Sequence, residues 1–305
     1  MPPARHLCNG IFRIVEIMVF DSRFTAFLSN VSRTCRRARY LMGTKQESDV
    51  RRDTESENRP HSRIEIDLER LSAGELLTMA AAGAEAVDCI RVLANTGDNL
   101  VGELLNGADG FYQWDHYPAG DVYDPASHAQ YYYHAHPQEL RSGEHGHFHT
   151  FLRAGGMPDN MRPVPLPDYE APEAPNDDLT HIVAVSMNPH GIPTRLFVTN
   201  RWVTGETWYA AEDVCSVVDR FEIDHARPSW PVNRWISAMM VLFRPQVLAL
   251  LRARDAGIAR WASERPGTNI YEDRELEIVA ALDISIDDQV AAIDEALRRR
   301  EACGK

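Results

Sequence analysis

Apolar residues recur at helical spacing in the first regular segment of the chain, residues 72–97. Ser72 and Glu75 have the spacing of a helix capping box. The apolar positions that follow recur every three or four residues, namely Leu76, Leu77, Ala80, Ala84, Val87, Ile90 and Leu93. This pattern predicts a helix that ends at Asn95-Thr-Gly97, and then a second, short helix over residues 99–105.

The middle of the chain contains a long polar segment and then a predicted hairpin. Residues 157–179 are dominated by Pro, Asp and Glu and have no regular period, which predicts a long loop. Residues 181–187 and 194–203 have the pattern of two strands, joined by the turn Asn188-Pro-His-Gly191. Residues 211–223 predict a helix that ends in a strand.

The last third of the chain has helical patterns. Residues 236–255 are apolar on nearly every side of a helix, which predicts that this helix is buried. Pro245 lies inside the pattern and predicts a kink or a split into two helices. Two further helices are predicted over residues 273–282 and 287–300, with Ser285 as the N-cap of the second.

Five histidines lie in one segment, residues 131–151, which reads Tyr-Tyr-Tyr-His-Ala-His-Pro-Gln-Glu-Leu-Arg-Ser-Gly-Glu-His-Gly-His-Phe-His-Thr-Phe. Two strands that pair through residues 137–144 would project five imidazoles from one face, those of His134, His136, His145, His147 and His149. Burying so many imidazoles is costly unless they bind something. Neutral imidazole is the commonest protein ligand for a metal, so the segment predicts a site for a divalent transition metal, iron or zinc.

The residues leave the reaction at such a site open. Three imidazoles leave zinc one open position, which suits hydrolysis, whereas histidines with one carboxylate suit ferrous iron and dioxygen. Glu144 and Glu139 are the nearest carboxylates, and Glu144 is a candidate catalytic residue. Arg201, as a contact for a substrate anion, and His225 are the other catalytic candidates. Candidate distant ligands, or hydrogen-bond partners of ligands, are His181, Asp224 and His225.

The leading interpretation is thus a metal-dependent oxidoreductase or hydrolase that acts on a small molecule. Six of the ten tyrosines lie between Tyr112 and Tyr133, which favours a pocket for an organic, aromatic substrate. One alternative is a binding or sensing protein without turnover that holds a metal, haem or a small anion. Another is an interaction protein whose histidines respond to pH. The sequence does not decide whether the protein is an enzyme.

Composition and charge narrow the partners and the compartment. The net charge of −13 argues against nonspecific binding to nucleic acid or to anionic membranes. No apolar run approaches the roughly 20 residues that span a bilayer. The five cysteines are scattered without a Cys-x-x-Cys pair, which suits a reducing cytoplasm. A small-molecule substrate is the expected partner, and a homodimer remains open.

The predicted architecture is α+β, with a mainly antiparallel sheet that carries the histidine hairpin, flanking helices and a helical C-terminus. Residues 1–63 are expected to be a disordered or non-essential extension, because residues 43–63 contain almost nothing apolar. Residues 64–265 are the expected core domain. Residues 266–305 are expected to form a helical segment that packs on that core.

Two stretches of the chain resemble an uncharacterised bacterial family, a domain of unknown function. The first contains the histidine hairpin, and the second reads Thr199-Asn-Arg-Trp202-Val-Thr-Gly-Glu206. The resemblance spans roughly residues 70–265. It implies no known activity, fold or ligand set, but it favours treating the two hairpins as one unit.

Overall fold

A six-stranded antiparallel sheet is the centre of the fold in the computed structural model, which describes residues 64–303 except 138–140, 142, 168 and 175. Each strand pairs with the next one in the sequence. The strands are β1 (Tyr117–Tyr123), β2 (Ala129–His134), β3 (Gly146–Arg153), β4 (Leu179–Met187), β5 (Pro193–Thr199) and β6 (Ile278–Asp283). Both predicted hairpins, β2–β3 and β4–β5, are confirmed, and so is the α+β class.

Helices precede the sheet, connect β5 to β6 and end the chain. They are α1 (Ala73–Ala94), α2 (Leu100–Leu105), α3 (Arg201–Thr204), α4 (Ala211–Val217), α5 (Trp230–Leu242), α6 (Arg244–Glu264) and α7 (Ile286–Cys303). The predicted capping box of α1 is confirmed: Ser72 Oγ accepts the N–H of Glu75, and the Glu75 carboxylate accepts the N–H of Ser72. The N-cap of α7 is also confirmed, because Asp288 donates its N–H to Ser285 Oγ.

One face of the sheet packs against helix α5. The hydroxyl of Tyr131 donates to Asn233 Oδ1 at 2.6 Å, and the ring centroids of Phe148 and Trp235 are 5.3 Å apart. All four side chains are buried. Because side chains alternate along a strand, packing Tyr131 and Phe148 on the helix places their neighbours on the opposite face. That opposite face carries the histidines.

The segments after β5 and after α3 depart from the predicted pattern. β5 ends at Thr199, and residues that were expected to extend it form the single turn α3. This turn ends at Gly205 with a φ of 64°, a left-handed conformation that favours glycine. Residues 211–223 begin as the helix α4, as predicted, but they continue as a 3₁₀ turn (Val218–Arg220) and not as a strand.

The predicted helix over residues 273–282 is wrong. Residues Ile278–Asp283 form the strand β6, which pairs antiparallel with β5 at the edge of the sheet. A short apolar run has no period that distinguishes a strand from a buried helix, and Ile278 and Val279 are β-branched residues that favour strands. The C-terminal segment therefore contributes a strand to the sheet as well as the helix α7.

The buried helix predicted over residues 236–255 is present as two helices. α5 starts earlier, at Trp230, and α6 continues to Glu264; Pro245 lies in the first turn of α6, where its missing N–H costs nothing. The two axes differ by 72°. In the described part of the chain no single helix is long and apolar enough to span a membrane. The bent pair α5–α6 reaches the required length and apolar composition only when the two helices are counted together.

All elements above belong to one compact unit. The expected N-terminal extension, residues 1–63, lies outside the described residues. The boundary expected at residue 265 stays a prediction.

Candidate metal centre

Three histidines of the β2–β3 hairpin converge on one point. In the register of these strands His134 is opposite His147, and Tyr132 is opposite His149. Nε2 of His134 lies 2.7 Å from Nε2 of His147. One ring nitrogen from each of His134, His147 and His149 lies within 4.8 Å of the other two. These separations bracket the roughly 3.3 Å between two nitrogens on a tetrahedral zinc ion, so the three side chains fit a metal ion.

A fourth imidazole lies beside the three. β2 ends at His134, so His136 is outside the strand, but its Nε2 is 3.4 Å from Nε2 of His134. Its ring centroid is 5.1 Å from that of His147. His136 is half-buried, whereas His147 and His149 are 1% and 0% exposed. His136 therefore borders the cluster on the side that reaches solvent.

His145 does not join the cluster. It precedes β3, which begins at Gly146, and so it does not follow the alternation of that strand. Its Nδ1 lies 2.6 Å from the hydroxyl of Tyr133, whose ring is buried among the core residues on the helix-packed face, 5.0 Å from Phe148. The structure thus brings four of the five predicted histidines together.

A bulge in β4 adds another histidine to the site. The register with β3 shifts by one residue between Thr150 and Phe151, which leaves Ile182 without a partner in β3. A bulge reverses the alternation of the strand beyond it, and His181 therefore lies on the same face as His149. Nε2 of His181 is 3.0 Å from Nδ1 of His149, as expected of a residue that orients a metal ligand.

Aromatic rings surround the cluster and bury it. The ring centroid of Tyr132 is 5.2 Å from His149, that of Phe197 is 5.1 Å from His147, and that of Phe151 is 5.2 Å from His181. Burial lowers the pKa of His134 to about 3, and it holds the pKa values of His147 and His149 well below 6.5. Burial therefore favours the neutral form of the rings, which is the form that binds a metal.

Several buried polar atoms on this face have no hydrogen-bond partner among the described residues. Two of them are Nε2 of His149 and Oγ of Ser186. Ser186 is the cross-strand partner of His147, so its side chain points to the same face of the sheet. Buried polar atoms are nearly always hydrogen-bonded, and an orphaned nitrogen beside two other imidazole nitrogens is the arrangement that a metal ion would satisfy.

Comparison with known proteins identifies the chain at the level of a family. The profile of DUF6969, a domain of unknown function, matches residues 80–284 of the 305-residue chain. The chain belongs to the DUF6969 family. The match spans all six strands and the whole histidine cluster, which confirms the predicted resemblance to an uncharacterised family and brings no activity with it. No curated protein and no solved structure matches the chain.

Glu144 of this DUF6969 chain lies where it orients His147. Its Oε1 is 2.7 Å from Nδ1 of His147 and 3.5 Å from Nη1 of Arg141, which in turn pairs with Glu277. The Glu144 carboxylate accepts a hydrogen bond from Nδ1–H of His147, so the lone pair of the neutral His147 ring is on Nε2, which faces the cluster. The position of Glu144 supports a role through His147, and its predicted catalytic role stays a prediction.

Glu144→Gln is expected to weaken metal binding about 10–100-fold, because residues that hydrogen-bond a metal-binding histidine contribute that much to the affinity. Glutamine keeps the size of the side chain but removes the charge that fixes the His147 tautomer. Affinity is measured by competition with a fluorescent zinc chelator. Glu277→Gln is the control, since Glu277 also pairs with Arg141 but, unlike Glu144, forms no described hydrogen bond with His147. Equal losses in both variants would show that Glu144 acts only through the charge of Arg141.

The other predicted site residues lie apart from the cluster. Arg201 pairs with Glu272 and lies 5.4 Å from the ring of Tyr169. The backbone oxygen of His225 accepts from Asn233, on the helix-packed side of the sheet. The N–H of Asp224 donates to a carboxylate oxygen of Asp124, and Glu139 lies outside the described residues. The catalytic roles of Arg201 and His225 stay predictions.

Sequence reasoning missed that Glu206 supports the site by binding the backbone of His181. Glu206 is 1% exposed, and its Oε2 accepts the backbone N–H of His181 at 2.7 Å and the hydroxyl of Thr180 at 3.2 Å. Burial raises its pKa to about 7, although Arg254 acts in the opposite direction. No local signal marks this residue, because a glutamate after a Thr-Gly turn is typical of an exposed loop.

Proposed function

We propose that the protein is a metal-dependent enzyme that acts on a small organic substrate at the centre formed by His134, His147 and His149. The buried, unpartnered Nε2 of His149, a residue that has one ring nitrogen within 4.8 Å of nitrogens of His134 and His147, carries the proposal. The remaining nitrogens of two ligands are already engaged, that of His147 by Glu144 and that of His149 by His181. Such partners orient the ligands of functional metal sites.

The donor set favours zinc-type chemistry over the iron alternative. The three clustered donors are all imidazoles, as in catalytic zinc sites that keep a fourth position open. The iron site with two histidines and one carboxylate requires a carboxylate among the ligands. No described carboxylate belongs to the group, and that of Glu144 is hydrogen-bonded to Nδ1 of His147 instead. A divalent ion held by three imidazoles would supply Lewis-acid chemistry for hydrolysis.

His136 favours a second candidate function, a metal-binding protein without turnover. Its Nε2 lies close enough to His134 to become a fourth ligand. Four protein ligands close the shell of a tetrahedral ion, which is typical of structural sites. The small-molecule partner, the absence of nucleic-acid and membrane partners, and a homodimer remain predictions from the sequence.

Elemental analysis tests the proposal directly. We expect untagged protein to carry about one equivalent of zinc or iron by inductively coupled plasma mass spectrometry, and the His147→Ala/His149→Ala double variant to carry almost none, because two of three ligands are gone. His190→Ala is the control, since His190 is exposed in the β4–β5 turn. Wild-type protein that neither contains metal nor takes it up after reconstitution would overturn both candidate functions. Circular dichroism of the double variant separates metal loss from unfolding.

A further inference from the structure

A row of exposed aromatic side chains lies in the loop before β1, and one of them, Trp114, borders the metal centre. The row consists of Phe111, Tyr112 and Trp114, which are 40%, 64% and 54% exposed. They are three of the five large apolar side chains exposed in the described part of the chain. Large exposed rings beside a buried polar cluster are unusual unless they serve binding.

Trp114 is the member of the row nearest to the metal centre. Its ring centroid is 4.3 Å from that of His136, and Nε2 of His136 is 3.4 Å from Nε2 of His134. Phe111 stacks on His145, which lies outside the cluster, with the ring centroids 5.3 Å apart. Since His136 is the least buried imidazole of the cluster, a molecule that enters from this side meets Trp114 first.

The backbone holds Trp114 in this exposed position. Its φ is 75°, in the left-handed region that bulky residues rarely adopt. The N–H of Trp114 donates to the carbonyl oxygen of Ala135 at 2.9 Å, so this unusual conformation is tied to the segment between His134 and His136. Unusual backbone conformations of this kind cluster at binding and catalytic sites.

We infer that the substrate carries an aromatic ring, which packs on Trp114 while its polar group reaches the metal centre. This inference rests on the proposed function and specifies its substrate class. Aromatic rings prefer offset or edge-to-face contact with another ring, and the exposed indole offers such a contact beside His136. The net charge of −13 argues against a nucleic-acid strand as the source of that ring.

Three hydroxamates with the same chelating group and different side groups test the inference: benzohydroxamate, cyclohexanecarbohydroxamate and acetohydroxamate. Their affinities are measured from the visible absorption of the cobalt-substituted protein. We expect benzohydroxamate to bind at least about tenfold more tightly than each of the others, because only the phenyl ring can stack on Trp114. In Trp114→Ala the preference should fall to about twofold or less, while the dissociation constant of acetohydroxamate stays the same.

Trp230→Ala is the matched control, because Trp230 is exposed to a similar degree, 56%, on helix α5. This variant should keep the full preference for benzohydroxamate. Equal binding of the phenyl and cyclohexyl compounds would overturn the aromatic class. A preference that survives in Trp114→Ala would also overturn the inference, and a change of oligomeric state in that variant without loss of preference would assign the row to a protein interface. Failure of the wild type to take up cobalt would instead overturn the proposed function, and this inference with it.

Discussion

The variant His149→Ala is expected to lower the affinity of the protein for zinc by on the order of a thousandfold. The variant His136→Ala should lower this affinity less than about tenfold. His149 has a buried, unpartnered Nε2, and its other nitrogen is held by His181. His136 is partly exposed and lies outside β2. The affinities are measured by zinc competition at pH 7.5, with the folded state checked by circular dichroism.

The comparison between these two variants separates the two candidate functions. An open centre needs only His134, His147 and His149, so the loss of His136 should leave the ion in place. A closed centre with four ligands would lose affinity to a similar extent in both variants. Equal, large losses would therefore favour the metal-binding protein without turnover. No loss in His149→Ala would place the ion elsewhere and overturn the proposed centre.

The central part of the site follows from local sequence rules. His134 and His147 lie inside regular strands, and the period of two along a strand correctly placed them on one face. The same rule failed for His145, because β3 begins one residue later and the imidazole bonds Tyr133 instead. Alternation predicts a side chain's direction only within the strand, and the ends of strands are the least certain part of a sequence-based assignment.

Two other features required the tertiary structure. The bulge at Ile182 reverses the alternation of β4 and thereby directs His181 towards His149. The sequence around Ile182 contains no glycine or proline that would predict a bulge there. The strand β6 forms because β5 offers a free edge for residues 278–283, so pairing between distant segments overrides an ambiguous local pattern. In both cases long-range contacts that local sequence rules do not contain decide the structure.

Glutamine in place of Glu206 is expected to stabilise the protein relative to the wild type as the pH rises. Burial raises the pKa of Glu206 to about 7, against an ordinary value of 4.5. The folded state therefore binds more protons than the unfolded state between these values, and the contribution of the carboxyl to stability is lost as the pH rises from 4.5 to 7. The advantage of Glu206→Gln over the wild type should grow across this window by roughly 3 kcal/mol and then level off.

Urea unfolding at pH 4.5, 6 and 8 with a chelator present measures this difference, and pairwise comparison at each pH cancels the titration of the histidines. The matched control is Glu212→Gln, because Glu212 is exposed and its pKa is lowered by a hydrogen bond from Arg252. That variant should gain nothing as the pH rises. A constant difference between Glu206→Gln and the wild type at all three pH values would contradict the raised pKa.

Glutamine at position 206 can still accept a hydrogen bond from the N–H of His181. A variant that is more stable but binds zinc more weakly would therefore show that the buried charge of Glu206 serves the metal centre at the expense of stability.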